Sequence, residues 1–444
     1  MIRKLAVKRF WCAWGLLLGC AISSFGDFVV EGLQYAEIEE CPGEVSVGLD
    51  YTVLPHGITM SEVPPCFSFV VPDSVTNPDT GSKYIVTTVR KNGFNLCYEW
   101  IWTYEHLDIY PTYELTKVTV PSTVVRVEEE GLNQIDTLVL NTPKFIKLGN
   151  RCFENCHLQA FDLTSLPENI DSIGTAVLKY NELEKVEWPE FLSEIPGDMF
   201  SRNNIYSVNF PATLKTIGPY AFWGNELIKS LNVPAEVVID EKAFLYIDNL
   251  RELTLGENCT IYSGAFNGCD NLKRIVLPSG TKLVRGREDY GATSQIFRGP
   301  AIERIDIAGD VVFESDGIEL AGVWTFNTPF PYTEVYYHTS VPQYVNSDDL
   351  FGSEIYNYGK LYVEGDEGVE NAKNTFPWNK FRTILPIPGT GTNGINDVES
   401  DSGTERPTEI YSLGGVRISC GLYELNPGCY IIREGGHTRK IVVK

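Results

Sequence analysis

One pattern of hydrophobic and polar positions recurs along the middle of the chain. Residues 205–222 show it in full: apolar residues stand at Ile205, Val208 and Phe210, polar residues stand between them, and a proline follows. The first apolar residue of each such phrase recurs at intervals of 20 to 30 residues: Leu115, Ile135, Leu158, Leu183, Ile205, Ile228, Leu250, Leu272 and Ile302. An interval this regular indicates an internal repeat whose units stack on one another.

Each repeat has the pattern expected for one coil of a solenoid. Val208 and Phe210 alternate with polar residues as in a strand with one buried face, and Pro211 ends the strand because it cannot donate to a ladder. Leu214 and Ile217 then turn a second apolar edge inward. The pattern predicts a mainly β protein: a leucine-rich repeat solenoid of short stacked strands with irregular or short helical returns.

The first 26 residues have the pattern of a signal peptide. A basic start precedes an apolar stretch over residues 10–22, which is too short to span a bilayer, and small residues precede Asp27. We expect cleavage before Asp27 and no stable membrane span in the mature chain. Two alternatives stay open: an uncleaved anchor, and lipidation at Cys20, where the sequence LLGC resembles a lipobox.

The acidic charge limits the classes of partner. The chain has a formal net charge of −23, and removal of the four basic residues before position 27 brings it to −27. Such a chain repels nucleic acid and anionic lipid head groups, so we exclude nucleic acid as a partner. A protein or another cell-surface macromolecule, including a glycan, remains.

The cysteines favour core packing over metal binding. Nine of the eleven lie after position 26, an odd number for a disulfide framework in an exported protein. Cys152, Cys156 and Cys269 take repeat positions where small, inward-facing apolar residues are expected. The paired cysteines that a zinc site requires are missing, so we expect no metal site. Pairing of Cys420 with Cys429 across the last hairpin stays open.

Catalytic motifs are missing from the sequence. It carries no H-E-x-x-H, G-x-S-x-G or Walker pattern, and its five histidines are scattered. Residues 389–394 (GTGTNG) match a phosphate-binding glycine pattern, but they follow prolines and precede no helical pattern, so a linker is the better interpretation. We therefore expect no enzyme activity and no cofactor.

If the protein has no catalytic site, its function depends on a binding surface. Residues between the apolar positions of each strand point outward, and basic and acidic side chains are about equally frequent among them. The same alternation places Asp306 outward. The candidate binding residues on this face are Lys185, Tyr206, Lys229, Arg251, Lys273, Arg274 and Arg304. Two interpretations stay open: charges that keep a sheet soluble, and a face that recognises a protein.

An aromatic insertion offers a second candidate site. Trp100, Trp102 and Tyr104 lie within residues 97–114, and the two tryptophans alternate as on one face of a strand. They either stack on sugar rings, which makes a glycan-binding module the alternative function, or cap the open end of the solenoid. A second aromatic tract at residues 324–337 has the same two interpretations.

Several phrases resemble a known repeat family. The sequences LKRIVLP (272–278), TLKTIGPYAF (213–222) and SGAFNGCDNL (263–272) resemble the leucine-rich repeats of BspA-like surface proteins of Gram-negative anaerobes. Residues 27–40 resemble the mature start of these proteins, and residues 360–385 resemble their closing segment. The resemblance implies surface adhesion to proteins of a host or of a neighbouring cell.

The last residues follow a different pattern. Residues 386–408 have the composition of a linker, and three strand-like runs separated by glycine turns follow, which predicts a small C-terminal β-module. The module resembles the sorting domain of type IX secretion cargo at Tyr411, Leu413, Gly415, Gly428, Tyr430 and Lys440. The resemblance implies delivery to the cell surface or the medium. A structural β-tail is the alternative.

The sequence thus predicts a non-enzymatic exported protein in five segments. These are a signal peptide (1–26), an N-terminal β cap (27–65), a leucine-rich repeat solenoid with a closing cap (66–385), a linker (386–408) and the C-terminal β-module (409–444).

Overall fold

The protein is mainly β, and its chain winds into stacked coils. A computed structural model describes residues 27–49, 67–94, 115–141, 144–284, 295–299, 302–314, 326–327, 332–345 and 350–391, and the backbone of four strands within 409–443. Successive coils pair in parallel, for example Lys185 with Ser207 and Thr216 with Val238. These partners are 22 residues apart, the commonest interval of the hydrophobic phrase. The predicted solenoid of short stacked strands is confirmed.

The N-terminal coils contribute strands to two sheets. Their strands are β1 (Phe28–Val30), β2 (Leu33–Glu37), β3 (Glu44–Leu49), β4 (Phe67–Val70), β5 (Ser74–Thr76), β6 (Lys83–Val89), β7 (Leu115–Val120), β8 (Arg126–Val127), β9 (Leu138–Leu140), β10 (Lys147–Leu148) and β11 (Ser172–Ile173). One sheet has the order β1-β2-β3-β6-β8-β10-β11, with β5 beside β6, and the other has the order β4-β7-β9. The antiparallel strands β1 to β3 start the array, and β3 and β6 begin the parallel stacking.

The following coils form three sides. Their strands are β12 (Lys185–Glu187), β13 (Glu194–Ile195), β14 (Ser207–Asn209), β15 (Thr216–Ile217), β16 (Ser230–Val233), β17 (Val238–Ile239), β18 (Glu252–Leu255), β19 (Thr260–Ile261), β20 (Phe266–Asn267), β21 (Arg274–Leu277), β22 (Lys282–Val284), β23 (Phe297–Arg298), β24 (Arg304–Ala308), β25 (Val312–Glu314), β26 (Phe326–Asn327) and β27 (Glu334–His338). The first side carries β12-β14, β16-β18 and a sheet that starts β21-β24-β27. The second side is the sheet β13-β15-β17-β19-β22-β25. The third side, which we call the third edge, includes β20-β23-β26. We call the outward surface of the first side the strand face.

The array closes with two helices and two more strands of the first side. These elements are α1 (Ser353–Tyr358), β28 (Lys360–Val363), α2 (Gly365–Asn374) and β29 (Thr383–Pro386), with 3₁₀-helices at Leu163–Ser165 and Trp378–Lys380. Backbone hydrogen bonding to the array extends past residue 386, the expected start of the linker. The Ile387 N–H donates to the Val363 carbonyl at 2.7 Å. A separate antiparallel sheet follows, β31-β30-β32-β33, built from β30 (Glu409–Ser412), β31 (Arg417–Ile418), β32 (Gly428–Glu434) and β33 (His437–Val443).

A column of stacked phenylalanine rings runs through the core. Its members are Phe200, Phe222, Phe244, Phe266, Phe297, Phe326 and Phe351. Neighbouring ring centroids are 5.2 to 5.4 Å apart, and every ring is buried. Each coil places one ring between those of its neighbours, so the burial of a ring depends on both adjacent coils.

The third edge is held by residues with left-handed backbone. Asp198 and Arg202, two positions before and after Phe200, both have φ of 56°. The N–H groups of these three residues donate to carbonyls of the next coil at 2.8, 2.8 and 2.7 Å. The same bonds recur along this edge from residue 92 to residue 268, always from an N–H of one coil to a carbonyl of the next. Left-handed non-glycine residues cost about 1–2 kcal/mol each, so these bonds offset real strain.

One buried position joins the coils through side chains. Asn181, Asn203 and Asn225 occupy it in three consecutive coils. The Asn225 amide accepts from the Ile205 N–H at 3.3 Å and donates to the Phe200 carbonyl at 2.8 Å. Cys156 takes the same position, and its thiol donates to the Leu132 carbonyl at 2.8 Å. The cysteines are buried as expected, and the thiols of Cys156 and Cys269 bond to a backbone carbonyl of another coil as the asparagines do.

One repeat differs from its prediction. The phrase that begins at Leu158 predicts a strand, but residues 158–165 contain no strand and end in the 3₁₀-helix Leu163–Ser165. The Asp162 carboxylate accepts from the Thr164 N–H at 3.0 Å, and the Ser165 hydroxyl donates to the Asp162 carbonyl at 2.7 Å. These local bonds favour a turn over the ladder, so the series of strands formed by the repeat phrases is interrupted between β9 and β12.

Candidate functional site

The strand face carries every residue of the predicted protein-binding set. Exposed members are Lys185, Tyr206, Lys229, Arg251, Lys273 and Arg274, and Arg304 is half-buried. In the first part of the face, the ammonium of Lys185 lies 5.6 Å from the centroid of the Tyr206 ring. In the last part, β21, β24, β27 and β28 bring arginines, carboxylates and tyrosines into direct contact, so the candidate site is concentrated there.

Two arginines share one buried carboxylate. Arg274 Nε donates to Asp306 Oδ2 at 2.9 Å, and Arg304 donates from Nη2 to Oδ1 at 2.6 Å and from Nε to Oδ2 at 2.9 Å. The alternation of the sequence places Asp306 outward, yet its side chain is only 7% exposed in the structure. The guanidinium groups from two neighbouring strands cover it.

The shared carboxylate explains how this part of the sheet tolerates its charges. Arg274 and Arg304 are directly opposite each other in the β21-β24 ladder, an arrangement that repels unless it is compensated. Burial on its own would raise the pKa of Asp306, but hydrogen bonds from Arg304 and Arg274 outweigh burial and lower the pKa below its ordinary value. The hydrogen bond to Asp306 likewise raises the pKa of Arg304. Asp306 is therefore held charged, and both arginines are fixed on it.

The tyrosines extend this arrangement across two more strands. The guanidinium carbon of Arg304 lies 3.7 Å from the centroid of the Tyr336 ring, and Tyr336 stacks on Tyr362 at 4.4 Å with 10° between the planes. Both hydroxyls donate to Glu334, at 3.2 and 3.3 Å. Burial and the Glu334 charge raise the pKa of Tyr362 to about 12, so the hydroxyl stays protonated and keeps donating. We call these six residues the arginine–tyrosine cluster: Arg274, Arg304, Asp306, Glu334, Tyr336 and Tyr362.

Four of the six residues of this cluster were not in the sequence-based set: Asp306, Glu334, Tyr336 and Tyr362. Glu334, Tyr336 and Tyr362 lie on strands that continue the strand face beyond the last repeat phrase. The signal was present in EVYYH (334–338) and KLYV (360–363), where apolar residues alternate with outward polar or aromatic ones. Tyr336 belongs to the second aromatic tract, and the 30 residues between the paired Arg304 and Glu334 exceed the usual 22-residue interval that would have placed it on the strand face.

Other candidates lie partly or wholly outside the described residues. Trp100, Trp102 and Tyr104 are outside them, as are Leu413, Gly415 and the whole predicted signal peptide with Cys20. The backbone of Tyr411 lies in β30, those of Gly428 and Tyr430 lie in β32, and that of Lys440 lies in β33. Glycan binding by the aromatic insertion and sorting by the C-terminal β-module therefore stay predictions.

The described cysteines and acidic residues offer little chemistry. Cys152, Cys156, Cys259 and Cys269 are buried free thiols, and burial raises the pKa of Cys156 to about 12, which leaves it unreactive. In the part of the chain that the structure describes, no three histidine, cysteine or acidic side chains are placed to hold a metal ion. A search of the same residues for a helix able to cross a membrane also finds none.

Comparison with known proteins identifies the repeats. Residues 109–229 and 171–287 match the BspA type leucine-rich repeat region, in six copies. No curated protein matches the chain. Among solved structures, the pneumococcal vaccine antigen PcpA is 17% identical, with 82% of this chain and 98% of that chain covered and a TM-score of 0.43. A leucine-rich cell surface protein from Faecalibacterium prausnitzii is 16% identical, with 86% and 100% covered and a TM-score of 0.42.

A leucine-rich repeat protein from Bacteroides ovatus is also similar, with 17% identity, 82% of this chain and 90% of that chain covered, and a TM-score of 0.30. At these identities the similarity says nothing of a partner or ligand. The match over residues 109–287 agrees with the 22-residue coils and the strands that they place on the strand face. Residues 109–287 therefore match a BspA type leucine-rich repeat region, and this part of the chain includes the strand-face strands β12, β14, β16, β18 and β21.

Proposed function

We propose that this chain is a non-enzymatic, exported protein of the cell surface or medium that recognises a protein through its strand face. The observation that carries the proposal is the arginine–tyrosine cluster, whose side chains are fixed by one another before any partner binds. Arginine and tyrosine dominate the binding energy of many protein interfaces. Side chains that are already ordered lose less entropy on binding, which favours affinity.

The cluster favours a protein over a sugar as partner. Stacking on a sugar ring needs an aromatic ring with an open face. Arg304 covers one face of Tyr336 and Tyr362 covers the other, so Tyr336 offers only its edge. Val276 and Leu385 flank the cluster with 39% and 37% of their surface exposed, and such apolar side chains suit a protein contact.

Export and display rest on the two ends of the sequence. The basic and apolar start predicts a signal peptide, and the phrases in residues 409–444 resemble a sorting domain. The BspA-like resemblance of the repeats favours adhesion as the biological role. The lack of catalytic motifs in the sequence favours a binding role over an enzymatic one.

Charge reversal on the strand face tests the proposal. The test variant carries Arg251→Glu, Lys273→Glu and Arg274→Glu, and the control carries Lys83→Glu, Lys215→Glu and Lys282→Glu, which are exposed away from this face. Both are measured, beside the unaltered protein, on arrays of extracellular-matrix proteins and of glycans. We expect saturable binding to a protein, weakened at least about tenfold in the test variant and unchanged in the control.

Two results would overturn the proposal. One is protein binding that survives in the strand-face variant. The other is binding confined to glycans and lost when Trp100→Ala and Trp102→Ala are introduced, which would move the site to the aromatic insertion.

A further inference from the structure

We propose that the arginine–tyrosine cluster and Leu385 bind an extended segment of the partner protein that carries an acidic residue and, four positions away, an apolar residue. This inference rests on the proposed protein-recognition function and specifies what the partner presents. It is carried by the fixed orientation of one guanidinium, the local charge and the register of the strands.

Arg274 forms the subsite for the acidic residue. Its Nε donates to Asp306 at 2.9 Å, which fixes the plane of the guanidinium, while the side chain stays 60% exposed. Among the described residues, neither terminal nitrogen of Arg274 has a hydrogen-bond partner. A guanidinium held in this way presents two parallel donors, and a carboxylate is the protein group that accepts both.

The local charge agrees with an acidic partner residue, although the protein as a whole is acidic. Lys273 is paired with Glu303 at 2.8 Å, so these two charges cancel. Arg274 and Arg304 are balanced by Asp306 and by Glu334, which lies opposite Arg304 in the β24-β27 ladder, and the exposed Lys360, opposite Glu334 on β28, adds one positive charge. A carboxylate from the partner would neutralise it.

The apolar subsite lies on the opposite flank of the tyrosines. One cross-strand row contains Val276, Asp306, Tyr336, Tyr362 and Leu385, in that order. Leu385 lies on β29, which has β28 as its partner within this sheet, and it is 37% exposed. The stacked tyrosines therefore lie between Asp306, to which the Arg274 guanidinium is bonded, and the apolar Leu385.

The spacing of the row sets the spacing in the partner. From Asp306, where the Arg274 guanidinium lies, to Leu385 there are three strand intervals, about 14 Å in all. A segment laid across the strands in extended conformation covers about 14 Å in four residues. Because side chains alternate in such a segment, residues four apart point to the same side, and the residue midway between them faces the edges of the tyrosine rings.

Synthetic peptides test the spacing directly. Short peptides carry one glutamate and one leucine separated by two to six positions, in both orders, in a background of serine and glycine. Their binding to the full protein is measured by fluorescence anisotropy. We expect the tightest binding at a separation of four, a loss of about tenfold with Arg274→Gln, and no preference for separation with Leu385→Ser. Lys282→Gln, which is exposed away from the strand face, should leave binding unchanged.

Circular dichroism establishes that each variant is folded before binding is compared. The inference is overturned by equal binding at separations of three, four and five, by an equal loss with Lys282→Gln, or by no binding of any peptide at about 1 mM. These outcomes leave the proposed function standing if matrix proteins still depend on the strand face. Loss of that dependence overturns the function itself, whatever the peptides do.

Discussion

Replacing Phe222 with alanine measures how strongly the phenylalanine column holds adjacent coils together. The Phe222 ring lies between those of Phe200 at 5.2 Å and Phe244 at 5.3 Å, and Phe210 meets it edge-on at 5.7 Å. Loss of a buried phenylalanine ring costs about 3–5 kcal/mol, including the cavity that remains. Because Phe222 is fully buried and stacked on both sides, we expect a cost near the upper end, about 4–5 kcal/mol.

Urea unfolding followed by circular dichroism gives the total loss, and hydrogen exchange shows where it falls. Adjacent coils stabilise one another, so we expect amide protection to drop first in the coils of Phe200, Phe222 and Phe244. Asn209→Ala is the control, because Asn209 is exposed on the strand face and its loss should cost less than about 0.5 kcal/mol. Similar costs for the two substitutions would refute the assignment of inward and outward positions.

Four further predictions follow from the backbone, the charges and the chain ends. Gly268 and Gly81 both have φ of 75°, but a Cβ on Gly268 would lie 2.3 Å from a tyrosine ring atom and one on Gly81 would meet nothing within 4 Å. Gly81→Ala should therefore cost about 1–2 kcal/mol and Gly268→Ala more, and equal costs in urea unfolding would contradict this. The lowered pKa of Asp306 means that its charge stabilises the fold above the ordinary pKa and stops doing so as pH falls through the folded value. Asp306→Asn should accordingly be less stable than the unaltered protein at pH 7, with the difference in urea midpoint closing below about pH 4, and a constant difference would count against the shared carboxylate. Deletion of residues 409–444 should leave the unfolding curve of the array unchanged and retain the protein in the periplasm, whereas normal delivery to the surface would make this segment a structural tail. Intact mass of the exported protein should correspond to a chain that starts at Asp27, and a lipidated or unprocessed mass would select one of the alternatives.

The strands were predictable because each coil repeats the same alternation in the same place. The third edge was not predictable from the sequence, since its positions with left-handed backbone share no residue type. They include Arg151, Ala176, Asp198, Tyr220 and Lys242, and only a few coils place glycine there, as at Gly224 and Gly264. Hydrogen bonds to the next coil impose this conformation, so local preference for glycine or asparagine carries little of the signal.

The members of the arginine–tyrosine cluster were predictable as strand residues but not as a cluster. Asp306 alternates with Ile305 and Ile307, which correctly directs it away from the core. Its burial comes from Arg274, which lies 32 positions earlier in the chain, and from Arg304 on its own strand. That contact depends on the register between β21 and β24, which the insertion between them hides from a count of residues.

The bonds of the third edge also make the array directional. From residue 92 to residue 268, each coil donates N–H groups of this edge to the coil that follows and accepts from the coil that precedes it, so the two sides of a coil differ and every junction between coils has the same direction. Duplication or deletion of one complete 22-residue coil would leave no donor or acceptor unmatched at the seam, whereas loss of half a coil would leave both. The length of such a protein can therefore change in evolution by whole coils while the two ends, which alone meet no further coil, must be kept.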